Sequence, residues 1–176
     1  LSWRLEGIDI PNPNHFAGEG SSGGPINALS SKMLTNSDFF TGAFAPEYGD
    51  VTSGVFDMKL KSGNNEQREY TAAFSTLGID MTAEGPFQEG GKASYLANYR
   101  YSALDLLDKA GIIDFGGVPR YQDMSFKIQL PAINKHNFAL FGLGGRSGID
   151  AEDEEEGVVT GKFKGRYGLG VIGLSH

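Results

Sequence analysis

The stretch KASYLANYRY, residues 92–101, decides the fold. Ala93, Tyr95, Ala97, Tyr99 and Tyr101 fall on one side of an extended chain, and Lys92, Ser94, Asn98 and Arg100 on the other, with Leu96 as the exception. A period of two belongs to a β-strand with one apolar face and not to a helix. The pattern recurs in both directions. In residues 121–130, Met124, Phe126, Ile128 and Leu130 oppose Asp123, Ser125, Lys127 and Gln129. Upstream, Tyr70, Ala72 and Phe74 form one short apolar face, and Ile79, Met81 and Ala83 oppose Asp80, Thr82 and Glu84. Downstream, Phe163, Tyr167, Leu169 and Val171 oppose Lys162, Lys164 and Arg166, whereas residues 135–145 carry apolar side chains on both faces.

About six antiparallel strands are therefore expected over residues 66–176, and the protein is expected to be mainly β. Its 26 glycines and 11% aromatics support this, because short strands need frequent turns. No run approaches the roughly 18 apolar residues of a membrane helix. A membrane strand needs only about 9–11 alternating residues, so the mean hydropathy of −0.27 does not bear on a barrel.

Connection lengths favour a barrel over a soluble sandwich. Short turns are expected at 86–91 and 131–134, and long connections at 102–119 and 146–161. Short turns at one rim and long loops at the other are the bacterial barrel arrangement, although the tight turn near Leu77 and Gly78 falls on the long-loop side. In that layout 102–111 is an outer loop with a short helix capped by Ser102 and stopped at Gly111. Tyr99, Tyr101 and Tyr121 are expected in an aromatic girdle. Six strands cannot close the barrel of about 22 strands that houses an internal domain, so an incomplete transmembrane β-barrel is expected, with the chain read as an excised piece.

Residues 1–65 differ in texture: they are loop-rich, with short apolar runs at 3–10, 26–29 and 55–60 and a short helix or irregular turn within 30–40. Residues 42–63, GAFAPEYGDVTSGVFDMKLKSG, resemble the plug-domain motif of TonB-dependent outer-membrane receptors, with Gly42, Tyr48, Gly49, Ser53, Gly54 and Val55 at matching positions. LEGIDI at 5–10 is similar to the family's apolar strand with an acidic-Gly step, and EGPF at 84–87 to the opening barrel hairpin of Bacteroidetes-type receptors. The family's basic residue before the first glycine is replaced by Phe40 and Thr41, and its Gly-Gly step by Ser53-Gly54. Glycines 42, 49 and 54 are expected where the backbone takes positive φ or is closely approached.

The resemblance implies the C-terminal portion of an α+β plug domain over 1–65 and the first barrel strands over 66–176. It further implies a Gram-negative outer-membrane location and import of a nutrient ligand. The expected partners are TonB with its inner-membrane energising complex, through a segment upstream of Leu1, and outer-membrane lipid. The imported ligand is left unidentified, and a surface lipoprotein over the barrel is left open. The rival is a soluble or surface-attached β-rich binding module, with carbohydrate as its ligand class.

The ligand-facing candidates are Asn12, Asn14, His15 and Phe16 in PNPNHF (11–16), which combine amides, an imidazole and an aromatic platform on a proline-stiffened loop. Lys162, Lys164 and Arg166 are expected to line the lumen. Net charge is −7, but six acids lie within 150–156, leaving −7 + 6 = −1 elsewhere, and that run is expected as a solvated outer loop. No clustered basic surface suggests nucleic acid. Without cysteine, thiol chemistry is excluded. His15, His136 and His176 lie far apart, and neither a Ser/His/Asp set nor a phosphate loop occurs, so no metal, cofactor or catalysis is expected.

Overall fold

The computed structural model describes every residue except 19, 20, 22, 43, 50, 52, 76, 105–110, 112–116, 132–135, 156 and 157, with backbone alone at 117, 118, 151–155, 158–160 and 162. The chain is mainly β. In its first third, β1 (Ser2–Leu5) and β2 (Ile8–Ile10) form a hairpin, and β1 runs parallel to β6 (Val55–Met58). β5 (Asp38–Phe40) completes a four-stranded sheet of order β2-β1-β6-β5. β3 (Asn14–His15) pairs with β4 (Ile26–Asn27), and a 3₁₀ turn at Ser31–Met33 is capped by Ser30, whose Oγ accepts from Lys32 N. The β1–β2 turn places Glu6 and Gly7 at φ 53° and 79°, the two positive values that a tight hairpin of matching twist requires.

The remaining strands form an antiparallel meander in chain order: β7 (Glu69–Ser75), β8 (Gly78–Pro86), β9 (Ser94–Ser102), β10 (Gly117–Gln129), β11 (Ala139–Glu155) and β12 (Val158–Ser175). Their lengths rise from 7 residues in β7 to 18 in β12. Connections 87–93 and 130–138 lie at one end, and 76–77, 103–116 and 156–157 at the other. Where a long loop is expected over 146–161, residues 146–155 and 158–161 are instead strand, which removes the simple division into a short-turn rim and a long-loop rim. An opposite-charge cross-strand pair favours the extension: Asp150 lies opposite Lys164, with carboxylate and ammonium 3.7 Å apart. Ser102 Oγ accepts from Leu104 N at 3.4 Å, and the helix expected beyond it lies outside the described residues. Among the described residues, no helix is long and apolar enough to cross a membrane.

Register assigns every strand residue to one of two faces, because directly paired residues share a face. The inner face carries Asp80, Thr82, Glu84, Leu96, Asn98, Arg100, Tyr121, Asp123, Ser125, Lys127, Phe141, Leu143, Tyr167, Leu169 and Val171. Residues 1–60 pack against it. One apolar core unites Leu5, Ile10, Leu29, Met33, Met58 and Leu60 with Leu96, Phe141 and Leu143 from the sheet. The outer face carries Tyr70, Phe74, Ile79, Met81, Tyr95, Tyr99, Tyr101, Met124, Phe126, Ile128, Leu140, Ile172 and Leu174. No described element of the chain covers it.

The sheet is thus patterned against the habit of water-soluble proteins. Phe74 is 78% exposed, Tyr70 and Ile172 are both 73% exposed, and Met124 is 54% exposed, while Asn98 and Asp123 are each only 2% exposed. Two rings cover glycines of neighbouring strands: Phe126 lies over Gly142 on the outer face and Phe141 over Gly173 on the inner. A Cβ at either glycine would come within 2.5 Å or less of the ring, so aromatic and glycine are fitted as pairs.

Candidate functional site

Three polar clusters join the N-terminal third to the inner face. In the first, Lys127 Nζ lies 3.0 Å from both Glu6 carboxylate oxygens and donates to Leu60 O at 3.0 Å. Glu6 also accepts from Leu60 N at 2.6 Å. Both side chains are about nine-tenths buried, at 9% and 11% exposure, so each charge depends on the other. Glu6 occupies a left-handed conformation that a β-substituted residue adopts at a cost of roughly 1–2 kcal/mol; its carboxylate is the group that meets Lys127.

The second cluster centres on the buried Asp123, which accepts from Arg100 at 2.7 Å and pairs with His15 Nε2 through its other oxygen. Arg100 also donates to Asn27 O. The His15 ring lies 5.7 Å from that of Tyr121. Gly145 makes the approach possible, since a Cβ there would sit 2.5 Å from Asp123 Oδ1 and 3.0 Å from His15 Cε1. In the third cluster Asp80 accepts from Lys32 at 3.2 Å, Ser30 at 3.0 Å and Asn98 at 2.7 Å.

The 11–16 segment divides between scaffold and site. Asn12 is a scaffold residue: its Nδ2 donates to Ser21 O at 2.9 Å, and its Oδ1 accepts from the Asn14 backbone and side chain at 3.1 and 2.7 Å. His15 is buried against Asp123. Phe16, at φ 56°, meets Tyr167 edge-on at 6.3 Å. His15, Phe16, Tyr121 and Tyr167 consequently form an aromatic group on the inner side, beside the Asp123 ion pairs. Tyr121, expected in the outer girdle with Tyr99 and Tyr101, belongs here; it is 7% exposed.

The basic strand faces the opposite way from expectation. Lys164 and Arg166 share the outer face with Ile172 and Leu174, while Phe163, Tyr167, Leu169 and Val171 face inward. β12 carries glycine at 165, 168, 170 and 173, so neither face has an unbroken apolar row, and pairing with β11 decides the orientation. Lys162 pairs with Glu152 along the backbone, and its side chain lies outside the described residues.

The 42–63 motif is structural. Gly54 is closely approached, a Cβ there falling 2.9 Å from Leu1 and 3.2 Å from the Phe40 carbonyl. Gly42 and Gly49 meet neither condition expected of them, since both have open space and neither has positive φ. Ser53 Oγ accepts from the Leu1 amino group at 2.8 Å. Tyr48 donates to Asp57 at 3.2 Å beneath the Arg4 guanidinium, 4.9 Å from its ring. Partial burial and then the Asp57 carboxylate raise its phenol above the ordinary value of 10.0.

Sequence reasoning missed Glu6, Arg100, Asp123, Lys127 and Asp80. For Asp80, Arg100, Asp123 and Lys127 the signal was present in the polar face of each alternating strand, but the alternation does not say which of those groups meets the N-terminal third; Glu6 stood in the β1–β2 turn. His136 and His176 lie together, Nδ1 to Nε2 at 2.8 Å. Among the described residues no group of three or more metal-binding side chains occurs. No family model, curated protein or solved structure matches the chain.

Proposed function

We propose that the chain is part of a TonB-dependent outer-membrane transporter: the end of a plug domain over 1–65 and the opening strands of its barrel over 66–176. The observation that carries this reading is the inverted sheet. Large apolar side chains stand exposed on one face, and paired charges are buried on the other against the N-terminal third. Lipid is the solvent in which bare Phe74, Met124 and Ile172 are stabilising. An interior filled by a second domain is the setting in which Asp123 and Lys127 are paid for by partners. Strands of 13 to 18 residues exceed the roughly 9–11 needed to cross a bilayer.

In this reading the barrel is completed by strands outside the chain, and the plug closes it. The ligand rests near the aromatic group of His15, Phe16, Tyr121 and Tyr167. TonB, pulling from the inner membrane, must break the Glu6–Lys127, Asp123 and Asp80 clusters to move the plug. Neither catalysis nor a cofactor enters the mechanism. The exposed tyrosines 70, 99 and 101 supply the observation behind the rival, a flat aromatic platform for carbohydrate on a soluble module.

Cysteine labelling separates the two, because the chain contains none of its own. In the full-length protein expressed in a Gram-negative cell, Phe126→Cys should be found in the outer-membrane fraction. It should react with a lipid-dissolved maleimide and resist a water-soluble one. Recovery in the soluble fraction, with Phe126→Cys open to the water-soluble reagent, would sink the transporter reading and leave the platform. Uptake of iron complexes and oligosaccharides by a deletion strain then identifies the imported class.

A further inference from the structure

His136 and His176, 40 positions apart in sequence, are brought together by strand pairing. β11 begins at Ala139, directly opposite Ser175 at the end of β12, so the residues just outside that pair meet at one end of the sheet. Ser175 Oγ donates to Ala139 O at 3.4 Å and ties the two strand ends together. Nδ1 of His136 lies 2.8 Å from Nε2 of His176, with ring centroids 5.0 Å apart and planes inclined by 30°. The Phe138 ring stacks on His176 at 4.9 Å and lies 6.5 Å from His136, so one aromatic ring neighbours both imidazoles. Both histidines are exposed, and His176 also lines a cavity of about 400 Å³ beside the β1–β2 turn. The charged groups described around that cavity are Glu6, Asp57, Lys59 and Lys127, which balance one another.

We propose that His136 and His176 form a two-imidazole site for Cu(II), with water completing the coordination. In the neutral pair one nitrogen donates and the other accepts; an ion in place of the shared proton receives a lone pair from each ring. Imidazole nitrogen suits copper, nickel and zinc alike, and the separation discriminates among them. Two nitrogens roughly 2.0 Å from one ion and at right angles span about 2.8 Å, whereas a tetrahedral angle opens the span to about 3.3 Å. The observed 2.8 Å is the right-angled value. It belongs to tetragonal Cu(II) or Ni(II), and Cu(II) is held more tightly than either neighbour in the series. Exposure lets the rings swing onto the ion without disturbing the core and leaves its other positions open to solvent. Bound copper would clip the start of β11 to the end of β12. The site stands whether the outer face of the sheet meets lipid or water.

The test is titration of Cu(II) into the full-length protein, purified without a polyhistidine tag, with nitrogen coordination read by electron paramagnetic resonance. A species with two imidazole nitrogens is expected in the wild type. His136→Asn and His176→Asn should each remove it and weaken binding by more than about tenfold, since losing a ligand costs at least what losing a ligand's supporting partner does. Ni(II) and Zn(II) should each bind more weakly than Cu(II). Cu(II) should also raise the denaturant midpoint of the wild type more than that of either variant, because a ligand held only by the folded protein stabilises it. Wild-type affinity with an unchanged two-nitrogen signal in either single variant would overturn the site. Tighter binding of Zn(II) than of Cu(II) would overturn the right-angled geometry and with it the choice of metal.

Discussion

The two faces of the six-stranded sheet are made from the same strands and obey opposite rules. The inner face buries Asp80, Asp123 and Lys127 among partners supplied by residues 1–60, while the outer face leaves Phe74, Tyr70 and Ile172 bare. The difference teaches that alternation along one strand serves two surfaces at once, one packed against residues 1–60 and one left bare by this chain. Charges on the inner face are tolerated because each is neutralised by a specific partner, whereas the large apolar side chains of the outer face are met by no described element of the chain.

The largest expected effect comes from breaking an inner pair. Glu6→Gln leaves Lys127 buried without its counter-charge and should cost about 3–5 kcal/mol in denaturant unfolding in detergent. The double variant Glu6→Gln/Lys127→Met should recover most of that loss, since removing both charges removes the penalty. A double variant as unstable as the single would mean that the pair itself, and not the orphaned charge, supplies the stability.

The outer face is tested by the reverse operation. Phe126→Arg, in the middle of the apolar rows, should destabilise the protein in a bilayer by about 2–4 kcal/mol. The same change in a sheet facing water would fall within about 0.5 kcal/mol, as surface substitutions do. Unfolding in vesicles of the full-length protein distinguishes the two.

A smaller effect is expected at Gly145. Its valine variant pushes a Cβ onto Asp123 and His15 and should cost about 1–3 kcal/mol through overpacking. Gly144→Val, whose Cβ faces the outer side with its nearest neighbour at 3.8 Å, should cost much less. Equal losses at the two glycines would remove the case for a close approach behind the ion pair.

The smallest effect concerns Tyr48, away from both faces. Its folded-state value is raised, so the neutral phenol is the form that folding favours. That contribution is fully present below the unfolded value near 10.0 and is lost as pH rises through the higher folded value. Tyr48→Phe should abolish this alkaline component of unfolding, and an unchanged pH profile would show that another group carries it.

Much of the fold is legible in the residues. Residues 92–101, apart from Leu96, and 121–130 alternate clearly between apolar and polar side chains, and the structure gives strands at both places with those faces. The acidic run at 150–156 misled because charge density resembles a solvated loop; the basic partner across the strand from Asp150 is Lys164, 14 residues along the chain. The candidate site was legible only in part. His15 and Phe16 are brought to the inner face, whereas Lys164 and Arg166 are carried to the outer one.

Alternation by itself determined where the chain is extended and that each strand has one polar side. Tertiary structure decided which side faces what. In β12 glycines interrupt both faces, and a shift of one residue would exchange them. The β11 register fixed the choice by hydrogen bonding, setting Leu169 and Val171 inward and the basic side chains outward. Pairing of Asp123 with His15, 108 positions away along the chain, is likewise a product of packing, because only folding sets β3 against β10.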